Sequence, residues 1–286
     1  MGKPMARNLI AAGYRVTVFN RSPAAVVELV AAGATAADSP RAVAQTADAV
    51  LTMLPDGPDV AAVVRGDHGI LAGAQPGMLL IDTSSIAPAV ARELAAEARA
   101  SRVGFVDAPV SGGPEGAAAA TLSIMAGGER ADVERAEPVL RALGKTIEYC
   151  GPSGAGQTVK ACNQLVVALH IEAVAEAILL AEKAGVPTAA MLRVLGGGLA
   201  ASRVIELRGA SMAAHDFAPR AKATFHRKDL RNVLDLARSL DATLPATALV
   251  EQLYTALVAG GRGEWDHTAL LAVLEDLAGV RPGGEL

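Results

Sequence analysis

The sequence predicts an α/β fold: a doubly wound sheet that lacks its first strand, followed by an all-helical C-terminal domain. Three observations predict it. Residues 14 to 151 alternate short β-rich apolar runs with helical stretches, the pattern of a parallel sheet covered by helices on both faces. After Gly151 the β-rich runs stop and the pattern is helical to the end. The chain also opens on a helix and not on a strand. In "MGKPMARNLIAAG" apolar residues recur at Met5, Leu9, Ile10 and Ala12, and Gly13 closes the run. At 286 residues the chain exceeds one average domain, and the boundary falls at "GPSGAG", giving domains 1–152 and 153–286.

Taken in order, the opening helix feeds a strand, Tyr14–Phe19, that ends in Asn20-Arg21-Ser22. This is the second half of a dinucleotide-binding βαβ unit, whose first strand and glycine turn come before the helix. Met1 is therefore expected to be an internal methionine. An extension of about ten residues, one strand plus its turn, is expected to raise stability and cofactor affinity. The next strands read "AVLTML", "GMLLIDTS", "VGFVDAPV", "TLSIMAGG" and "TIEYCG", with helices over Pro88–Ala100 and Ala131–Leu143 between them. A long helix then runs from Gly156 to Ala184, apolar nearly all round and so expected to be buried between domains or subunits. Further helices are predicted over Ala189–Leu195, Ser202–Ala213, Lys228–Leu240, Ala246–Ala259 and His267–Ala278.

Composition narrows the function. Hydrophobic residues are 51% and charged residues 20%, a globular balance, and the net charge of −4 gives no footprint for nucleic acid. Cys150 and Cys162 make no disulfide framework and no metal cluster, which fits a reducing cytoplasm. Leu165–Ala181 comes nearest to a membrane span, but His170, Glu172 and Glu176 interrupt it. It reads as a buried helix, with His170 a satisfied core histidine and no metal site.

Four stretches carry chemistry. Gly2 stands where the last glycine of a G-x-G-x-x-G turn would lead into the helix, and it also suits a plain terminus. At the end of the second strand a carboxylate would bind ribose hydroxyls, whereas Arg21 can neutralise a 2′-phosphate and so favours NADP over NAD. In "DAPVSGG", Ser111-Gly112-Gly113 offer free N–H groups beside a hydroxyl, a pocket for a carboxylate, and a plain loop would use the same glycines. In "GPSGAGQTVKACNQ", Lys160, Asn163 and Gln164 fall at i, i+3 and i+4, so a cation and two amides share one helical face, continued by Val167 and Ile171. A solvated face would stay polar, and this one does not. Lys228, in "HRKDL", reads by itself as a solvated lysine.

Together "MGKPMARNL", "MLPD", "IDTSSIAP", "DAPVSGG", "GAGQTVKACNQ" and "HRKDL" resemble the β-hydroxyacid dehydrogenase family, over essentially the whole chain. The resemblance implies a Rossmann-like first domain, an oxidoreductase using NADP or NAD, and a homodimer or homotetramer. Lys160 is implied as the catalytic lysine, with Asn163 holding it and the substrate. Ser111, Gly112 and Gly113, with Gln164 less firmly, are implied to bind the substrate carboxylate. Gly2, Asn20, Arg21, Ser22, Leu54, Pro55 and Ser85 are implied to contact the cofactor, with Lys228 closing over its nicotinamide end. Within the family, "NQLVVALHIEAVAEA", "GGLAASRV" and "DHTAL" look most like members that reduce tartronate semialdehyde to glycerate. Relatives acting on 3-hydroxyisobutyrate commonly carry Asn-Asn at Asn163-Gln164. A dehydrogenase for 3-hydroxyisobutyrate or another short β-hydroxyacid is the second reading. A catalytically silent binding protein, owing to the incomplete phosphate turn, is the third.

Overall fold

The computed structural model describes residues 1–280. It separates into two compact units, Met1–Lys160 and a second from Ala161 onward. The division falls inside a helix, one turn and more beyond the "GPSGAG" boundary that the sequence suggests.

The first unit runs α1 (Gly2–Ala11), β1 (Thr17–Val18), α2 (Pro23–Ala31), β2 (Thr35–Ala36), α3 (Pro40–Ala44), β3 (Ala49–Thr52), α4 (Gly57–Val64), α5 (Ile70–Gly73), β4 (Leu79–Asp82), α6 (Pro88–Ala100), β5 (Gly104–Asp107), β6 (Val110–Ser111), α7 (Gly113–Ala118), β7 (Leu122–Gly128), α8 (Arg130–Arg141) and β8 (Gly144–Gly151). The 29-residue helix α9 (Ala155–Lys183) carries the chain into the second unit.

β3, β4 and β5 are parallel, with Leu80 opposite Val50 and Phe105. Alternate residues leave the sheet on opposite faces. Leu79, Ile81 and Val106 pack with Val133, Ala136 and Leu140 of α8, while Leu80 and Phe105 pack with Ala91, Leu94 and Ala98 of α6. A strand covered on both faces has to be apolar along its length, and β4 is buried at every position. Each Leu or Ile so buried stabilises the unit by about 1.5–3 kcal/mol.

The sheet is mixed, not wholly parallel as the strand–helix alternation suggests. β6 pairs directly with β7, Val110 opposite Ile124, as antiparallel neighbours, so β7 returns against β5 as well, and β8 then runs parallel to β7. β1 and β2 form a sheet of their own. The strand expected over Tyr14–Phe19 shrinks to Thr17–Val18, and Tyr14 and Phe19 are exposed. Its one strand neighbour is β2, and among the described residues no pairing joins it to β3. What ties this part to the larger sheet is α1: Met5 is buried among Leu79, Ile81 and Ala117, and Asn8 Nδ2 donates to the Ala117 carbonyl at 2.7 Å.

The second unit adds α10 (Thr188–Gly196), α11 (Arg203–Ala213), α12 (Ala223–Ser239), α13 (Pro245–Leu257) and, after a short 3-10 turn, α14 (Leu270–Leu277). Ala168, Ile171, Val174 and Ile178 of α9 form its core with Met212, Leu230, Tyr254 and Leu270. α9 is long and apolar enough to cross a membrane by composition alone, yet one of its faces builds this core. On its other face Val166, Ala173 and Leu180 are exposed, and so is His170, which is therefore not the core histidine that the sequence suggests. α12 starts well before Lys228, where the sequence places its beginning. The N–H groups of Ala223 and Thr224 donate to the Trp265 and Gly263 carbonyls at 2.8 and 3.0 Å, a tertiary cap with no local signal.

Candidate active site

Residues singled out in the first unit follow the carboxyl ends of its parallel strands, where ligands of open α/β sheets bind. Asn20-Arg21-Ser22 follow β1, Leu54 and Pro55 follow β3, Ser85 follows β4, and Ser111 to Gly113 follow β5 by way of β6. Asn20 braces its loop by donating from Nδ2 to the Ser22 carbonyl at 3.0 Å. The Arg21 guanidinium is 79% exposed and sits 3.4 Å from the Asp59 carboxylate of α4. The Leu54 N–H donates to Ser84 Oγ at 2.9 Å, tying the ends of β3 and β4 together. Gly2 opens α1, whose first turn holds no acidic residue and no capping side chain. Gly112 has φ +134°, and a Cβ there would press on Leu122 Cδ2 at 3.2 Å, so the turn after Ser111 requires glycine.

Beside these strand ends lies a group of residues that the motifs did not single out. Asp82 and Asp107 stand opposite each other at the ends of β4 and β5, both fully buried. Thr52 Oγ1 donates to Asp82 Oδ1 at 2.8 Å and the Ser84 N–H donates to the same atom at 3.2 Å. Asp82 Oδ2 is buried without a partner. Burial pushes the Asp82 carboxyl up to about 6, against those hydrogen bonds and with a further push from Asp107. Burial likewise raises Asp107 to about 6, opposed by backbone N–H groups of α9 and the turn before it.

Those donors are what anchors the lysine. Asp107 accepts from the N–H of Gly154 at 2.7 Å and of Gln157 at 2.9 Å, a carboxylate at the positive end of a long helix. Gln157 reaches back with its side chain, donating to the Ser84 carbonyl at 2.7 Å and accepting from the Ile86 N–H at 3.1 Å. The helix comes this close because residue 156 is glycine: a Cβ there would lie 2.2 Å from the Met125 carbonyl oxygen and 2.6 Å from that of Asp107. Lys160, at the end of this unit and in the same first turns of α9, is 8% exposed.

In the second unit a row of polar side chains connects α9 to α12. Asn163 Nδ2 donates to Gln164 Oε1 at 2.9 Å, Gln164 Nε2 donates to Asp229 Oδ2 at 2.6 Å, and Lys228 Nζ lies 2.7 Å from Asp229 Oδ1. Lys228 is thus inside α12 and held by a buried carboxylate rather than a solvated lysine ahead of the helix. Gln164, expected at the substrate, turns its amide to Asp229 and Asn163. Beneath the row His226 is buried, its Nδ1 2.7 Å from His267 Nδ1, its Nε2 3.2 Å from the Gln164 carbonyl, and its ring stacked on Tyr254 at 5.1 Å.

The sequence pattern described as the NAD binding domain of 6-phosphogluconate dehydrogenase matches residues 1–151, and that described as NAD-binding of NADP-dependent 3-hydroxyisobutyrate dehydrogenase matches residues 154–274. A 2-hydroxy-3-oxopropionate reductase of Escherichia coli (strain K12) is 41% identical over 278 residues, 97% of this chain and 95% of the relative. The chain belongs to the β-hydroxyacid dehydrogenase family. A family relative named NAD-dependent L-serine dehydrogenase, from Pseudomonas aeruginosa, is 38% identical over 286 residues, 98% of this chain and 96% of the relative. The solved Mycobacterium tuberculosis 3-hydroxyisobutyrate dehydrogenase with L-serine aligns with a TM-score of 0.87 at 36% identity, covering 96% of this chain and 95% of that one.

As in the family, the first unit is an NAD(P)-binding domain. Its donor set fits a phosphorylated dinucleotide: the Arg21 cation and the Ser22 hydroxyl are exposed, and the Asn20-Arg21-Ser22 segment itself carries no carboxylate. Asp82, Asp107 and Gln157 in the first unit, and His226, Asp229 and His267 in the second, are supporting residues to which the sequence reading gives no role. For Asp82 and Asp107 the local signal is that "IDTSS" and "FVDAPV" each put an acid at the end of an otherwise apolar run.

Proposed function

We propose that the chain reduces tartronate semialdehyde (2-hydroxy-3-oxopropanoate) to glycerate, with NADPH preferred over NADH. The observation that carries the reading is Lys160: a buried lysine on a helix start pinned by Asp107 and Gln157 beside the strand ends. When bound, the reduced nicotinamide supplies the hydride. The chain's own part is to hold a proton where charge develops. As the aldehyde carbon gains hydride its oxygen becomes an alkoxide, and the Lys160 ammonium stabilises that oxygen and donates a proton from Nζ, giving the alcohol. Ser111, Gly112 and Gly113 bind the substrate carboxylate, the glycines letting backbone N–H groups come close. Arg21 takes the 2′-phosphate that distinguishes NADPH. Leu54, Pro55 and Ser85 line the cofactor's path, Asn163 holds the lysine, and Lys228 closes over the nicotinamide end.

The 41% identity to a 2-hydroxy-3-oxopropionate reductase supports this substrate. The likeness to 3-hydroxyisobutyrate dehydrogenases supports a second reading, in which the substrate is 3-hydroxyisobutyrate. One set of measurements tests both. kcat/KM is expected to be higher with tartronate semialdehyde and NADPH than with 3-hydroxyisobutyrate and NADP, and the reverse order favours the second reading. Lys160→Ala should lower kcat by about 100-fold or more while NADPH, titrated by fluorescence, binds as before. Near-normal kcat in that variant removes Lys160 from the chemistry.

A further inference from the structure

The row from Lys228 to Asn163 has a direction, and hydrogen-bond polarity sets it. An ionised carboxylate only accepts, and an amide has one accepting end and one donating end. Asp229, 8% exposed, accepts at Oδ1 from Lys228 and at Oδ2 from Gln164. Gln164 must therefore meet it with Nε2, which leaves Oε1 for its other neighbour. Asn163 meets that oxygen with Nδ2, so its own Oδ1 is the end turned away from Gln164. Asn163 lies one helical turn after Lys160, on the same face of α9. The Gln164 backbone is tied down as well, its carbonyl 3.2 Å from Nε2 of the buried His226.

We propose that Asp229 and Gln164 are positioning residues: the Asp229 carboxylate orients the Gln164 amide, which orients Asn163 so that a carbonyl oxygen is the atom offered on the lysine's face of α9. An acceptor there steadies an ammonium. An amide N–H₂ there would repel it. The inference rests on the reading of Lys160 as the proton donor, and it assigns Gln164 to orientation rather than to substrate contact. The side chain has the length to do so: Gln164 Nε2 reaches Asp229 on another helix at 2.6 Å while Oε1 still meets its neighbour.

Substitutions that keep shape and change polarity test this. In Asp229→Asn one oxygen must serve both Lys228 and Gln164, so the contact at Gln164 becomes donor against donor. The row relieves this by flipping, and Asn163 then turns its N–H₂ to the lysine's face. In Gln164→Glu two carboxylates meet at the 2.6 Å contact. The double variant Asp229→Asn/Gln164→Glu restores every link. Its carboxylate, now on α9, accepts from Asn163 and from the amide N–H₂ introduced on α12, while the oxygen of that introduced amide still accepts from Lys228. Each single variant is expected to lose between about 10- and 100-fold in kcat with NADPH affinity within about twofold, and the double variant to recover most of it. Side-chain amide signals of Asn163, followed by NMR in the full-length protein, give a readout independent of turnover: displaced in each single variant, returned to the wild-type position in the double. Single variants within twofold of wild-type kcat, or a double variant no better than the worse single in kcat and in Asn163 signal, overturn the relay. An unmodified protein without semialdehyde reductase activity sinks the substrate reading alone, since the Asn163 signals still decide the relay.

Discussion

Two carboxyls, Asp82 and Asp107, are buried side by side at the strand ends, and each is raised by burial to about 6. Their roles differ. Asp107 spends both oxygens on N–H groups at the start of α9, where its charge is useful. Asp82 has one oxygen without a partner, so its charge is the less compensated of the two. A carboxyl whose native pKa is raised binds its proton more tightly folded than unfolded. Its contribution to stability is present in full below the unfolded value, about 4, and is lost as pH climbs through the native value of about 6. Asp82→Asn keeps the shape and removes the charge at every pH. The variant is expected to match or exceed the wild-type melting temperature at pH 7.5, by an amount corresponding to at most about 3 kcal/mol. That advantage should shrink as pH falls to 5. A variant less stable than wild type by the same margin at both pH values would show that the Asp82 charge does not set this pH dependence.

At the level of elements, the start of α9 decides where the lysine stands. Gly156 lies inside a helix, where alanine ordinarily stabilises by about 1 kcal/mol. Here the methyl group would sit 2.2 Å from a carbonyl oxygen of β7. Overlap wins over propensity, and the helix start has to lift off Asp107. Gly156→Ala should cost about 1–3 kcal/mol in thermal unfolding and lower kcat by about 10-fold or more; an unchanged melting temperature and kcat together would mean that the close approach carries neither. This element also shows what a sequence can reveal. Helix spacing alone brings Lys160, Asn163 and Gln164 to one face, since their separation is local. The residues that hold them are remote: Asp107 is 47 positions from Gly154, Ser84 is 73 from Gln157, and Asp229 is 65 from Gln164. No periodicity spans such distances. For the same reason the early start of α12 has no local signal, since the carbonyls that cap it belong to Gly263 and Trp265.

Across the whole molecule, the main strand and helix runs emerge at or near the positions that apolar periodicity gives them, because each buries its own face against a neighbour. Pro88–Ala100 keeps its expected bounds, with proline in its first turn. Continuity of the sheet is different, since it depends on which backbones pair. The first 38 or so residues are joined to the larger sheet by side chains, chiefly Met5 and Asn8 of α1, and by no strand-to-strand hydrogen bond among the described residues. Ladders of backbone bonds hold a protein shut far more evenly than a few side chains do, so this segment is a candidate for opening on its own, ahead of the rest. In hydrogen–deuterium exchange, amides of Thr17, Val18 and the α1 interior should lose protection well before those of β4 and β5. If all of these amides exchange at one common rate, the segment opens only with the whole unit. Asn20, Arg21 and Ser22 sit on this loosely attached piece, so a dinucleotide gripping them would also act as a latch. If NADPH grips these residues, adding it should slow exchange there most, part of its binding energy being used to hold this segment against the larger sheet.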